Sequence, residues 1–116
     1  MTGTSDLITR LRERGAETVA LQFPAGLKRQ AAGIADEIRE AGFIVIISGD
    51  PCYGACDPAL DLLRYADVLV HFGHTPLVVH PDIIYEPYRV DFNPEVIANV
   101  FPLLRGTAIG IITTAQ

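Results

Sequence analysis

No glycine-rich phosphate signature occurs in this chain of 116 residues: neither G-x-G-x-x-G after the first apolar segment nor G-x-x-x-x-G-K-S/T anywhere. Nucleotide phosphates therefore lack the backbone cradle that such loops provide. A G-x-S-x-G elbow is also missing, which leaves a serine triad without its nucleophile. Basic charge is scarce, with 9 Lys and Arg against 14 Asp and Glu, so no cationic surplus exists to neutralise phosphates and direct nucleic-acid binding is not expected. Apolar runs are short. The longest, Phe43 to Ile47, falls far below the ~20 residues a membrane helix requires. The opening stretch, Met1 to Glu13, is too polar for a secretory signal. Cysteine is limited to Cys52 and Cys56, too close together to staple a fold. With no secretion signal, clustered cysteines point to a reducing cytoplasmic setting and to metal or redox chemistry.

What is present is a chain of one-domain length, 49% hydrophobic with a net charge of −5, able to bury a core without disulfides. Asp6 to Arg14 reads as a short helix and Thr18 to Phe23 as a strand that ends at Pro24 and Gly26. Leu27, Ala31, Ile34, Ile38 and Ala41 recur at helical spacing, and Gly42 is a natural stop. The β-branched run Phe43 to Ile47 reads as a strand buried on both faces. A loop from Ser48 to Asp57 leads into a helix that begins at Pro58 with Asp57 as its cap. Strands follow at Asp67 to His71 and Asp82 to Tyr85, then a helix from Asn93 and Pro94 to about Leu104 and a buried strand over Thr107 to Thr114. This β-α-β-α-β order with apolar strands predicts an α/β fold, a parallel sheet covered by helices on both faces in a flavodoxin- or Rossmann-like three-layer domain. The last strand has no helix after it, which implies a piece of a longer α/β protein. The expected division is a first domain over residues 1–106 and the opening strand of a second, truncated domain over residues 107–116.

Ligands of open parallel sheets bind beyond the carboxyl ends of the strands, and the unusual residues of this chain fall there. Phe23-Pro24-Ala25-Gly26 follows the first strand, Ser48 to Asp57 the second and His71-Phe72-Gly73-His74 the third. One rim thus collects Cys52, Cys56, Asp50, Asp57, His71 and His74. Their spacing, C-x3-C-x14-H-x2-H, superficially matches zinc, yet a chain with its own core does not need a metal in order to fold. Thiolates suit zinc and iron–sulfur clusters alike. Each residue also has a plainer use: cysteine as a small hydrophobe, His71 as a strand-end hydrogen-bonding group, Asp50 as a turn former and Lys28-Arg29 as a solvated helix face. His80 reads as a loop residue, and Tyr85, Tyr88 and Phe92 as packing. The alternatives open at this point are a metal or cluster site, a zinc-binding structural module using Cys52, Cys56, His71 and His74, and a metal-free flavodoxin-like binding module.

Several segments together resemble a known family. They are Leu21-Gln22-Phe23-Pro24-Ala25-Gly26-Leu27, Gly49-Asp50 with Tyr53-Gly54-Ala55-Cys56-Asp57, Ala66-Asp67 with Val70 to His74, and Ile109 to Gln116. In order and spacing they are similar to the N-terminal domain of the archaeal 2-(3-amino-3-carboxypropyl)histidine synthases, which begin diphthamide biosynthesis. The resemblance runs from about Leu21 onward, and its specific parts are Y-G-A-C-D and H-F-G-H. It implies a transferase of three similar α/β domains, each giving one cysteine to a 4Fe-4S cluster that works with S-adenosylmethionine. A 3-amino-3-carboxypropyl radical would then add to a histidine of elongation factor 2. The resemblance further implies a homodimer, an external electron donor and no activity for a short piece alone. Carried over by position, Cys56 matches the cluster cysteine, while Asp50, His71 and His74 match the motif and are expected to line the cofactor pocket. Cys52 stands where other members commonly carry another residue and is taken as a bystander. Ala25 departs from the glutamate of the family's F-P-E-G-L segment.

Overall fold

A computed structural model describes residues 3–88 and 93–112 of the chain. Four strands form one parallel sheet: β1 (Thr18–Gln22), β2 (Ile44–Ile47), β3 (Val68–Phe72) and β4 (Ile83–Glu86), in the order β2-β1-β3-β4. Strand side chains alternate between faces, and the two faces are covered differently. Val19, Leu21, Val68, Val70, Phe72 and Ile84 pack with Leu7 and Leu11 of α1 (Thr4–Glu13) and Ala31, Ala35 and Ile38 of α2 (Lys28–Glu40). Ala20, Leu69 and Ile83 face the other way, beneath Ala59, Leu62, Leu63 and Ala66. The three-layer α/β architecture expected from the sequence is therefore formed.

The helical period of Leu27, Ala31, Ile34 and Ile38 maps onto α2, preceded by a 3-10 turn at Ala25–Leu27. Gly42 ends it at φ +102°, a conformation open to glycine and costly to residues with a Cβ. The amide of Phe43 then bonds back to the carbonyl of Ile38. At the far edge, the Arg10 guanidinium pairs with the buried Glu86 carboxylate and ties α1 to β4.

Four local expectations need correction. The Ile-rich β2 is an edge strand, with Ile44 63% and Ile47 43% exposed. An apolar run does not tell an edge strand from a central one, because that depends on which strands pair on either side. The segment after Pro58 forms a 3-10 helix at Leu60–Arg64 in place of an α-helix, and Asp57 does not cap it. The helix expected to Leu104 is reduced to α3 (Glu95–Ala98) and a 3-10 turn at Phe101–Leu103, divided where Pro102 lacks an amide donor. Residues 107–112 join no strand and are exposed, and the rest of the strand expected there lies outside the described residues.

Asp67 links the starts of the two central strands. Its carboxylate accepts the amides of Glu17 at 2.9 Å and Thr18 at 2.8 Å, and these bonds hold its pKa below the usual 3.8. A carboxylate with a depressed folded-state pKa contributes stability that is full above its unfolded value and lost as pH falls through the lowered one. Thermal melts recorded against pH should therefore lose an Asp67 contribution only below about pH 4. The Asp67→Asn variant should melt lower at neutral pH and show a flatter acid limb; an acid limb equal to that of the parent would contradict this account.

Candidate functional site

The parallel register sets Gln22 at the end of β1 opposite His71 of β3, and His71 opposite Tyr85 of β4. All three lie on the face that carries Ala20 and Leu69. His71 is wholly buried and Gln22 nearly so. The Gln22 amide is held from both ends: its Nε2 donates to the carbonyl of Asp57 at 2.8 Å, and its Oε1 accepts the amide of Ala59 at 2.9 Å. That orientation turns Oε1 toward His71 Nδ1 at 2.8 Å, so Nδ1 carries the proton and the lone pair of Nε2 is an acceptor.

The lone pair points into the rim. His74 Nδ1 lies 2.8 Å from His71 Nε2 and the Cys52 sulfur 4.0 Å from it. The three donor atoms all fall within 4.8 Å of one another. Tyr85 flanks the cluster, its ring centroid 5.3 Å from that of His71 and its hydroxyl donating to the carbonyl of Val78. Desolvation, followed by the nearby His74, lowers the His71 pKa to about 4 against an opposing pull from Asp57. His71 is thus neutral at physiological pH. Burial likewise raises the Cys52 thiol above its ordinary range, with Asp57 and Cys56 adding to the effect.

The loop that carries the cysteines is fastened at both ends. Lys28 Nζ donates to the carbonyls of Gly49 and Asp50, each at 3.1 Å, so this lysine supports the loop rather than merely solvating a helix face. The Asp57 carboxylate accepts the amide of Tyr53 and closes the loop on itself. Between these anchors Cys52 turns inward and is buried, whereas Cys56 is exposed. Gly73 permits the turn from Phe72 to His74: at φ +85° an added Cβ would meet Pro24 Cγ at 3.0 Å and Leu27 Cδ1 at 3.1 Å. Phe23 and Phe72 stack beside it, centroids 4.3 Å apart.

Of the residues singled out from the sequence, His71 and His74 come together. Cys56 and Asp50 lie on the same loop but outside the three-residue group, with Asp50 exposed. The four-ligand arrangement of Cys52, Cys56, His71 and His74 does not form as a unit, since Cys56 is not among the clustered donors. His80 is a loop residue as expected, and Phe92 lies outside the described residues. Sequence reasoning missed Gln22, whose signal was a lone polar residue closing the apolar strand Val19-Ala20-Leu21. It also passed over Tyr85 as a neighbour of His71, and it grouped Cys52 with the two histidines only in the zinc alternative, the family resemblance making it a bystander.

Residues 23–116 match the family model described as "Putative diphthamide synthesis protein". The chain is 33% identical over 119 residues to a 2-(3-amino-3-carboxypropyl)histidine synthase of Pyrococcus horikoshii, a match covering 97% of this chain and 35% of that protein. It is 45% identical over 74 residues to subunit 1 of the Gallus gallus enzyme of that name, covering 61% of this chain and 18% of the relative. Among solved structures it is similar to the crystal structure of Dph2 from Pyrococcus horikoshii with a 4Fe-4S cluster, with a TM-score of 0.75 and 31% identity over 88% of this chain and 33% of that one. The chain spans about a third of the length of the archaeal relatives it matches.

Replacing Gly73 tests how tightly the rim is built. Gly73→Ala should cost about 1–3 kcal/mol, the usual range for backbone strain, read as a lower urea midpoint. An unchanged midpoint would mean that Pro24 and Leu27 give way freely.

Proposed function

Because the chain belongs to the diphthamide synthesis family, we propose that it is the part of a 2-(3-amino-3-carboxypropyl)histidine synthase that supplies one thiolate to a 4Fe-4S cluster. The reaction is transfer of a 3-amino-3-carboxypropyl group from S-adenosylmethionine to a histidine of elongation factor 2. The likeness to the cluster-bearing archaeal structure carries this reading. In this arrangement residues 1–106 are the first domain and residues 107–116 open the next. The whole enzyme works as a homodimer in the cytoplasm with an external electron donor.

The donor set fits such a group. A cluster is held by several thiolates, and this chain offers one that is free to face outward. Cys56 is exposed at the carboxyl rim, while Cys52 is turned into the His71 pocket. Cysteines from elsewhere in the enzyme complete the set. Three thiolate ligands on four irons leave one iron open, as catalytic metal sites keep a position free. When bound, such a cluster supplies the one-electron reduction that frees the 3-amino-3-carboxypropyl radical from the sulfonium.

The residues of this chain have supporting tasks. Lys28, through the carbonyls of Gly49 and Asp50, fixes the loop that presents Cys56. Asp50, His71 and His74 line the side of the rim where S-adenosylmethionine would sit. The exposed apolar side chains of the C-terminal stretch, among them Val96, Ile97, Phe101, Leu103, Ile111 and Ile112, agree with burial against further polypeptide, because an apolar patch of this kind marks an interaction surface.

The test is anaerobic iron and sulfide analysis with electron paramagnetic resonance on the full-length enzyme. A reducible four-iron signal is expected, perturbed by S-adenosylmethionine, lost in Cys56→Ala and kept in Cys52→Ala. Modification of elongation factor 2, followed by mass spectrometry, should fall to background in Cys56→Ala. Absence of iron and sulfide, whatever other metal is bound, would sink the reading, as would a full signal in Cys56→Ala.

A further inference from the structure

We infer that Cys52, His71 and His74 form a site for a single soft divalent cation of the zinc class, distinct from the Cys56 thiol. The inference stands on these three side chains and not on the iron–sulfur reading. Their donor atoms lie within 4.8 Å of one another, with His71 Nε2 4.0 Å from the Cys52 sulfur and 2.8 Å from His74 Nδ1. A tetrahedral zinc ion with bonds of about 2.3 Å to sulfur and about 2.0–2.1 Å to nitrogen holds such ligands about 3.3–3.6 Å apart. Parting the two rings by roughly half an ångström and swinging the thiol in toward both of them, by up to roughly an ångström on the His74 side, brings them to that spacing. His74 and Cys52 stand on the rim and its loop, so these shifts leave β3 in place.

The surroundings are those of a ligand site. His71 is 0% exposed, and its Nε2 faces Cys52 and His74. Its other nitrogen is taken by Gln22 Oε1, which is itself oriented by the Asp57 carbonyl and the Ala59 amide. Metal-ligating histidines are held in this way, by a hydrogen-bonded outer partner that selects the tautomer. One thiolate and two imidazoles suit zinc or cobalt(II) over magnesium or calcium. Three protein donors leave a fourth position for water or another ligand at the rim. Binding involves no electron transfer. The Cys52 thiol releases its proton to solvent, and His74 keeps one proton by moving it from Nδ1 to Nε2.

The experiment is titration of cobalt(II), then zinc, into the reduced full chain without oxygen. One equivalent of cobalt should give a thiolate-to-metal charge-transfer band that one equivalent of zinc abolishes. Cys52→Ser and His74→Gln should each lose the band, Cys56→Ser should keep it, and Gln22→Leu should bind about 10–100-fold more weakly. Circular dichroism checks the fold of each variant; should Cys52→Ser unfold, His74→Gln decides, being only half-buried. No cobalt band in the parent, a band lost in folded Cys56→Ser, or a band retained in folded Cys52→Ser or His74→Gln would overturn the assignment. The iron and sulfide content that tests the cluster is read separately, so either idea can fail without the other.

Discussion

The pairing of Gln22 with His71 across the two central strands is the constraint on which the rim depends. In a parallel ladder each residue has a fixed partner, and a slip of one position sends every side chain to the opposite face. Here the alternation that buries Val19 and Leu21 against α1 and α2 also sends Gln22 to the other face, and the same alternation in β3 carries His71 there. The register is therefore held by the apolar core, and the polar pair inherits it. A buried amide and a buried imidazole would each be costly alone. Facing one another, with Ala59 donating to the same Oε1 and Asp57 accepting from Nε2, each has partners, and the ring directs its remaining lone pair at the rim.

From that pair outward the structure separates two thiols four residues apart. Cys52 is drawn beneath the loop toward His71, where desolvation keeps it a thiol, while Cys56 remains in solvent beside Gly54. The separation arises in the loop's anchors: Lys28 holds its start through two carbonyls, and the Asp57 carboxylate folds its end back onto Tyr53. Each anchor turns an irregular segment into a fixed platform, so that one sulfur is presented outward and the other is kept within reach of two imidazoles.

Much of this was legible in the sequence, and the failures share a cause. The helical period of α2, the strands β1, β3 and β4, the stop at Gly42 and the gathering of chemistry at one sheet edge all follow from local patterns of apolar residues and turn formers. What local pattern does not carry is order within the sheet. Phe43 to Ile47 is a continuous apolar run with four β-branched residues and reads as buried on both faces, yet the order β2-β1-β3-β4 places it at the edge. The same limit hid the pairing of Gln22 with His71, since 49 residues separate them and only the register joins them. It also hid the opposite directions of the two thiols, which the zinc spacing treated alike, because burial and the direction of a loop side chain depend on what packs beneath the loop.

The division between buried and exposed surface differs sharply between the two sides of the sheet. Among the described residues, helices α1 and α2 cover one face of the sheet and only a short 3-10 segment covers the other. Ile44 and Ile47 at the β2 edge remain in solvent, as do the apolar residues after Pro94. An unpaired apolar edge is a liability for a free domain and an asset for one that docks on its neighbours. Under the proposed function the outward thiol of Cys56 follows the same logic: one cysteine completes no cluster by itself. The buried trio of Cys52, His71 and His74 differs in kind, because all its donors come from this chain and are oriented by its own core. The trio oriented from within and the outward Cys56 thiol thus share one rim, and the register of β1 against β3 sets the geometry of the first, while the loop anchored by Lys28 and Asp57 sets that of the second.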